Sequence, residues 1–318
     1  MDHHIPLSFP VFSGNENLYT QKAISSGHLA TSGQFINMFE GMLSKRMKTH
    51  ESVTLNSGTS ALHLGMILLG IGPGDEVICQ SFTFCASANP IVYLGASPIF
   101  VDSEVETWNI CPELLEETIL SRIFKGKKPK AIVIVHLFGI SNDTAIIQRA
   151  KLLSTQARED MPFYHHLEIG YNYKMNNLSA AVGLAQLEQL DSFVKSRREL
   201  NKRYRTLLKD FPGVTFQDET PNSFSNYWLT TILIEKEKTG FSNVELKKAL
   251  SKKEIESRFL WKPLHTQPVF SPCPYFGGNV SEKLFESGLC LPSSVNLSLQ
   301  DQELVVEVIH EEFSKIFK

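Results

Sequence analysis

The stretch that decides the fold class is SVTLNSGTSALHLGMILLGIGPGDEVICQSFTFCASANPIVYLGASPIFV, residues 52–101, in which strand and helix patterns alternate. Short β-prone runs at Ser52–Leu55, Glu76–Cys79 and Pro98–Val101 are separated by helical patterns that end at glycines. Ala131–Leu137 is a fourth apolar run without alternation, which predicts a strand buried on both faces. The pattern favours an α/β fold with a mainly parallel sheet that helices cover.

The alternation of strands and helices stops after the fourth run. The next predicted elements are two helices, Thr144–Thr155 and a long amphipathic one at about Leu178–Leu208. A four-stranded parallel sheet would expose a wide apolar edge, which soluble proteins normally cover or pair. We therefore expect a truncated sheet in which three apolar side chains near the edge are poorly covered: Ile132, Ile134 and Leu137.

The C-terminal third has a different pattern, typical of an α+β arrangement. Its predicted elements are strands at Val214–Phe216, Tyr227–Ile234 and Glu256–Trp261 and helices at Asn243–Lys252 and Asp301–Phe317. The sequence therefore predicts a large domain at residues 1–208 and a small C-terminal domain at residues 209–318.

The composition excludes several classes of protein. The 318 residues include 31 Lys and Arg against 34 Asp and Glu, a net charge of −3, which argues against disorder and against a strongly basic nucleic-acid binder. The longest apolar run, Ala131–Ile140, is far shorter than the roughly 20 residues that span a bilayer. The N-terminus shows no signal-peptide pattern, and five cysteines without C-x-x-C spacing predict reduced thiols. We expect a cytoplasmic globular protein.

One motif, Asn56–Ala61, has the chemistry of an anion site. Its sequence NSGTSA lies at a strand-to-helix junction, where backbone N–H groups, hydroxyls and the helix dipole favour an anion. The alternative is an ordinary N-cap beside a flexible glycine. The G-x-x-x-x-G-K-[ST] pattern of a P-loop is absent from this stretch.

Three further segments are weaker candidates. Ser81–Phe84 follows the second predicted strand, where an aromatic ring has the position to stack on a planar ligand or to pack in the core. Trp261–His265 offers a cation and an imidazole to an anion, or is a strand end capped by proline. The aromatic loop Gly170–Lys174 fits packing on its own domain, and His165 and His166 lack the surrounding ligands of a metal site. No Ser/His/Asp or Cys/His arrangement stands out.

Several sequence blocks, taken together and in order, resemble one family. The blocks are NSGTSALHLG (56–65), GPGDEVICQSFTFCASANPIVYLGASPIFVD (72–102), WNICPELLEE (108–117), VHLFG (135–139), STQARED (154–160), HLEIGYNYKMNNLSAAVGLAQLEQL (166–190), ESRFLWKPLHTQPVF (256–270) and GLCLPSSVNLS (288–298). They resemble the DegT/StrS family of nucleotide-sugar aminotransferases, which depend on pyridoxal 5′-phosphate (PLP) and have the aspartate-aminotransferase fold, fold type I. WKPLHTQPVF and CPYFGG are most similar to enzymes that aminate UDP-4-keto-6-deoxy-GlcNAc in bacillosamine-type pathways.

The resemblance implies roles for six residues of this chain. Thr59 and Ser60 would hold the PLP phosphate, Phe84 would stack on the pyridine ring, and Asn172 would reach the partner's phosphate across a dimer interface. Two residues would lie beside the sugar nucleotide: Lys262 and His265. The implied partners are a UDP-linked 4-keto-6-deoxy sugar, glutamate and a second copy of the chain.

The chain departs from the family pattern directly after VHLFG. The family continues with a helix, a strand whose Asp pairs with the pyridine nitrogen, a block whose Lys binds PLP covalently, and a glycine-rich strand. Here Ile140–Gln148 runs straight into Arg149–Leu152, a stretch that in the family lies beyond that lysine. The gap corresponds to about two strand-plus-helix units of roughly 30 residues each. Lys151 and Asp143 lie near the junction, but their aligned positions make them poor substitutes.

Three functions follow from these observations. The first is the family's transfer of an amino group from glutamate to a nucleotide-linked 4-ketosugar. The second is an inactive remnant or passive dimer partner, since a lysine amine and a carboxylate at the ring nitrogen are both needed for the chemistry. The third is a sugar-nucleotide-binding module without catalysis. For the chain as written, we expect the transfer activity to be lost.

Overall fold

The computed structural model describes residues 4–12, 14–137, 171–219 and 224–315. Its strands are β1 (Glu76–Gln80), β2 (Ser97–Val101), β3 (Ala131–Val133), β4 (Val214–Phe216), β5 (Thr230–Ile234), β6 (Arg258–Phe259), β7 (Tyr275–Phe276) and β8 (Gly288–Leu291). Its helices are α1 (Asn15–Ser25), α2 (Gln34–Met47), α3 (Gly58–Leu68), α4 (Asn89–Tyr93), α5 (Pro112–Phe124), α6 (Asn177–Glu188), α7 (Leu190–Leu207), α8 (Lys236–Thr239), α9 (Asn243–Lys252), α10 (Val280–Ser287) and α11 (Leu299–Ser314). The helix predicted at Thr144–Thr155 lies outside the described residues.

The first sheet is parallel, as predicted, with the strand order β3-β1-β2-β7. Its membership corrects the prediction for Ser52–Leu55, which is not a strand of this sheet. Leu55 instead forms an isolated antiparallel bridge with Lys174. The fourth strand comes from the C-terminal third, where Tyr275 pairs with Phe100. The β-prone composition of Ser52–Leu55 is local, whereas its pairing partner is chosen by tertiary contacts.

The predicted strand Ala131–Leu137 is shorter in the structure, and only β3 pairs with β1. Ile132 is 40% exposed and Ile134 is 48% exposed, which confirms the poor cover of these two side chains and contradicts burial on both faces. The prediction for Leu137 is wrong, because this residue is 3% exposed. It packs in a separate cluster with Phe82 and Trp108, since the chain leaves the sheet after β3.

The second sheet is antiparallel, with the order β4-β5-β8-β6. Helices α7, α9 and α11 cover it through a buried apolar cluster. The long helix predicted at Leu178–Leu208 is two helices, α6 and α7, which meet at Gln189. Gln189 has φ −102° and ψ 0°, outside the helical region, and this interrupts the regular hydrogen bonding.

Contacts cross the predicted domain boundary at residues 208 and 209. Ile5, Leu200 and Tyr204 belong to the predicted large domain but pack in the core of the second sheet. In the other direction, β7 belongs to the predicted small domain but completes the first sheet. These exchanges fix the two sheets relative to each other, and the boundary itself stays a prediction.

Candidate cofactor and substrate site

The start of α3 is built from hydroxyl side chains. Ser57 is the N-cap, with an extended backbone, and its Oγ accepts a hydrogen bond from the Ser60 N–H at 3.1 Å. The Ser60 hydroxyl donates to Asn56 Oδ1 at 2.7 Å, and Thr59 lies half-buried in the first turn. Because the first N–H groups of a helix have no acceptor within the helix, this end attracts an anion. Ser57 therefore caps the helix, while N–H groups at the same helix start remain for an anion.

The segment 171–175 lies against this helix start. The Asn56 N–H donates to the Tyr173 carbonyl at 2.8 Å, and the Met175 N–H donates to the Thr54 carbonyl at 3.1 Å. Asn172 is exposed, and its carbonyl lies 3.5 Å from Asn56 Nδ2. The structure thus brings Asn172 beside the α3 start of its own chain, and its predicted role towards a partner's phosphate stays a prediction.

A buried histidine attaches the same segment to α3. His63 Nδ1 lies 3.0 Å from the Tyr173 hydroxyl, and its ring has edge contacts with Tyr93 and Tyr171. Burial lowers the pKa of His63. The neutral imidazole that this favours is able to accept the Tyr173 O–H, which stabilises the position of the segment that carries Asn172.

The two phenylalanines after β1 have different environments. Phe82 is fully buried and packs in the core, whereas Phe84 is 55% exposed. The Phe84 ring lies 5.5 Å from the Trp261 ring, centroid to centroid, at an interplanar angle of 55°. Phe84 is therefore the aromatic residue of this loop that is available to a planar ligand.

His265 is enclosed by hydrogen bonds in the structure. Its Nδ1 lies 2.7 Å from Ser81 Oγ, its Nε2 lies 3.1 Å from Glu282 Oε1, and its ring stacks on Tyr275 at 3.7 Å. The Ser81 Oγ also accepts the His265 backbone N–H at 3.2 Å, so the Ser81 proton is free to go to Nδ1. Ser81 is fully buried and has no access to a substrate as a nucleophile. Lys262, by contrast, is exposed.

This serine–histidine–glutamate chain was not predicted from the sequence. Ser81 and His265 are 184 residues apart, and no spacing rule connects them. The separate motifs that contain Ser81 and His265 were the available signal, but Glu282 had none.

Asp102 joins the end of β2 to the start of α10. Its carboxylate accepts hydrogen bonds from the Val280 N–H at 3.1 Å, the Ser281 N–H at 3.0 Å and the Ser281 hydroxyl. Burial alone raises the pKa of Asp102, but the hydrogen bonds from Ser281 and Ser103 outweigh it and lower the pKa. For Tyr275, burial and the hydrogen bond to Asp102 raise the pKa.

All five cysteines lie in the described part of the chain and are unpaired, and burial raises the pKa of Cys79 and of Cys290 to about 12. Within the described ranges, no group of three His, Cys, Asp or Glu side chains is arranged to hold a metal ion. His165 and His166 lie outside these ranges. No helix in the described part of the chain has the length and apolar character needed to cross a membrane.

Comparison with known proteins identifies the family of this chain. Residues 12–149 and 140–310 match the DegT/DnrJ/EryC1/StrS aminotransferase family. The chain belongs to this family. Family members are PLP-dependent sugar aminotransferases with fold type I, so PLP is the cofactor that the family implies here.

Two relatives show how far the similarity to the family extends. The EpsN protein of Bacillus subtilis (strain 168), named for a pyridoxal phosphate-dependent aminotransferase, is 36% identical over 374 aligned residues, which cover 97% of this chain and 96% of EpsN. GDP-perosamine synthase of Escherichia coli O157:H7 is 30% identical over 372 residues, which cover 98% and 99% of the two chains. Both alignments are longer than the 318 residues of this chain, so they include positions that it does not fill.

Solved structures support the same fold. A DegT DnrJ EryC1 StrS aminotransferase from Brucella abortus superposes with a TM-score of 0.85 at 25% identity, over 93% of this chain and 95% of that one. PseC of Helicobacter pylori, an aminotransferase involved in the biosynthesis of pseudoaminic acid, superposes with a TM-score of 0.87 at 18% identity, over 98% and 100%.

Proposed function

We propose that this chain derives from an aminotransferase that moved an amino group from glutamate to a UDP-linked 4-keto-6-deoxy sugar, and that it no longer performs the transfer. The main support for the proposal is that the family matches the chain in two pieces, residues 12–149 and 140–310, which overlap at residues 140–149. An internal deletion at this position accounts for both the divided match and the alignments that exceed the chain's length.

The deletion removes the groups on which the chemistry depends. PLP, when bound, supplies the electron sink for the reaction. A lysine amine must attach the cofactor and move a proton, and a carboxylate must keep the ring nitrogen protonated. Residues 138–170, which join β3 to the segment before α6, contain a single lysine, Lys151. It belongs to a stretch that the family places beyond the catalytic lysine, so we propose no replacement by Lys151 or by Asp143.

Part of the cofactor site is retained under this proposal. The Thr59 hydroxyl and N–H fit the PLP phosphate, because they lie at a helix start that favours an anion. Ser60 shapes this helix start, since its N–H and hydroxyl donate to Ser57 and Asn56. The exposed Phe84 fits one face of the pyridine ring. In a homodimer, the exposed Asn172 would reach the partner's phosphate. We therefore expect weak, non-covalent binding of PLP.

The two predicted substrate residues take different roles. Lys262 is exposed, and this supports direct contact with the anionic part of a sugar nucleotide. Both ring nitrogens of His265 are within hydrogen-bond distance of residues in this chain, which supports a positioning role for the loop from Ser81 to Phe84. We also propose a cytoplasmic homodimer.

The direct test is an amino-transfer assay. The purified chain is incubated with PLP, glutamate and UDP-4-keto-6-deoxy-GlcNAc, and 2-oxoglutarate is measured, with an intact family enzyme and its own substrate as the positive control. We expect no 2-oxoglutarate above the level without protein. Repeated turnover would contradict the proposed loss of activity.

A further inference from the structure

Helix α5 has apolar side chains on both its inner and its outer side. The inner side packs on the first sheet through three apolar residues: Leu114, Leu115 and Ile119. On the outer side, Leu120 is 60% exposed and Phe124 is 92% exposed. Packing among the described residues therefore accounts for the inner side of α5 only.

Charged residues flank the outer apolar residues in a fixed order. Two glutamates precede Leu120 by about one helical turn and two lysines directly follow the helix, and all four are exposed: Glu116, Glu117, Lys127 and Lys128. The Lys127 N–H donates to the Arg122 carbonyl at 2.9 Å, which fixes the turn after the helix to the helix end. The outer surface from Glu116 to Lys128, here called the α5 face, is thus acidic, then apolar, then basic.

The order of the charges alone has an ordinary explanation. Carboxylates towards the start of a helix and ammonium groups at its end both interact favourably with the helix dipole. That explanation does not extend to the uncharged side chains of Leu120 and Phe124. A partner that covers them removes apolar surface from water, which is favourable, so the apolar centre of the α5 face indicates a partner.

A second copy of the α5 face fits this order when the two helices lie antiparallel across a two-fold axis. Such a contact is reciprocal, because each residue of one copy meets its counterpart on the other and the reverse. With the axis beside Arg122, whose side chain is buried on the inner side, Leu120 lies opposite Phe124. In the same register, Glu116 lies opposite Lys128.

The second glutamate and the second lysine fit the same register, since Glu117 then lies opposite Lys127. One register therefore pairs apolar with apolar residues and each carboxylate with an ammonium group. Residues four apart share one side of a helix, so Glu116, Leu120 and Phe124 face the same partner.

We infer that the α5 face is a contact between two copies of this chain, formed by antiparallel helices across a two-fold axis. It does not involve Asn172, around which the homodimer is proposed, and it does not depend on amino transfer. Two helices of 13 residues bury less than the roughly 1,200–2,000 Å² of stable complexes. The association is therefore weak and depends on concentration.

Sedimentation velocity of the full chain over a range of concentrations tests the inference. We expect the weight-average mass to rise with concentration. Phe124→Asp should raise the dissociation constant of this step at least about tenfold, because it places a charge in the apolar centre of the contact. The matched control is Val244→Asp, which adds the same charge at an exposed apolar residue of α9. Both side chains are exposed, so neither variant removes a core contact.

Two charge reversals test the register. In Glu116→Lys and in Lys128→Glu, two copies of one variant bring like charges opposite each other, so each variant should associate about threefold more weakly or worse. An equimolar mixture again has a carboxylate opposite an ammonium group at both positions, and association should return to that of the original chain. Lys127 is left unchanged because its Nζ lies 3.7 Å from the buried Glu76.

Three results would overturn the inference: a mass that does not change with concentration, equal effects of Phe124→Asp and Val244→Asp, or no recovery in the mixture. An anionic membrane is the other partner that suits an aromatic ring beside lysines. Binding to phosphatidylserine vesicles that Phe124→Asp abolishes, without any change of mass with concentration, would assign the α5 face to a membrane instead. The amino-transfer assay is independent, because turnover would contradict only the proposed loss of catalysis.

Discussion

At the scale of single residues, the ion pair between Glu76 and Arg122 is the most enclosed charge contact of the first sheet. Arg122 Nε donates to Glu76 Oε2 at 2.7 Å, and Arg122 Nη2 contacts the other carboxylate oxygen. The side chains are 5% and 10% exposed for Glu76 and Arg122 respectively. The pair joins the start of β1 to α5.

Removal of one partner leaves the other charge buried. We expect Arg122→Met to lower the free energy of unfolding by about 3 kcal/mol, because the buried Glu76 carboxylate would keep only the exposed Lys127 ammonium, at 3.7 Å, as a counter-charge. Urea unfolding measures the change. The matched control is Arg46→Met, which breaks the exposed pair with Asp191 and should cost far less. Equal losses in the two variants would contradict the importance of burial.

Local chemistry could be predicted from the sequence at single residues, and long-range contacts could not. The helix start at Ser57–Ser60 follows from residue types at fixed spacing, and the structure has it. Only the family resemblance named Phe84 as the stacking residue. Residue types alone did not decide between Phe82 and Phe84, because the side chain that faces the core depends on what packs above the loop. His265 contacts Ser81 and Glu282, which lie in other segments of the chain, and no local sequence pattern connects the three residues.

At the scale of elements, the chain segment that contains β3 has apolar side chains with very different exposure. Ile132 is 40% exposed and Leu137 is 3% exposed, although the sequence places both in one run. We expect Ile132→Thr to change the free energy of unfolding by less than about 0.5 kcal/mol, as for other surface changes. Leu137→Ala should cost about 2–5 kcal/mol because it leaves a cavity. Chemical denaturation of both variants checks this, and a larger cost at Ile132 would contradict it.

The hydrogen bonds of Asp102, which connect β2 to α10, predict how the stability of the fold depends on pH. The lowered pKa of Asp102 means that the folded chain favours the carboxylate, so this contribution to stability is present above the unfolded pKa of about 3.9. It is lost as the pH falls through the lower pKa of the folded state. We expect Asp102→Asn to reduce stability at pH 7 and to flatten the loss of stability on acidification. Thermal unfolding between neutral and acid pH measures this, with Asp210→Asn as the exposed control. Unchanged pH dependence in Asp102→Asn would refute it.

The order of elements was largely predictable, whereas strand pairing was not. Helix α9 spans Asn243–Lys252 as the sequence predicts, because Ser242 marks its start locally. The place of β7 in the first sheet depends on contacts with β2, far away in the chain, and its two residues carry no recognisable strand pattern.

At the scale of the whole molecule, the chain keeps the family's fold without the family's length. Structures of the fold superpose over nearly all of the chain, while alignments to relatives extend over more positions than it has residues. Each of the two sheets has its own buried apolar cluster, which stabilises the fold. A covalent cofactor site needs particular side chains instead, so the fold persists where the catalytic groups are lost. We therefore expect a folded protein that has lost amino transfer.

Trapping of PLP by borohydride tests that claim most directly. The purified chain is incubated with a small excess of PLP, reduced, and analysed by intact and peptide mass spectrometry. We expect no adduct, or partial labelling scattered over surface lysines. A single stoichiometric adduct on one lysine would contradict it, because a replacement for the lost lysine would then exist.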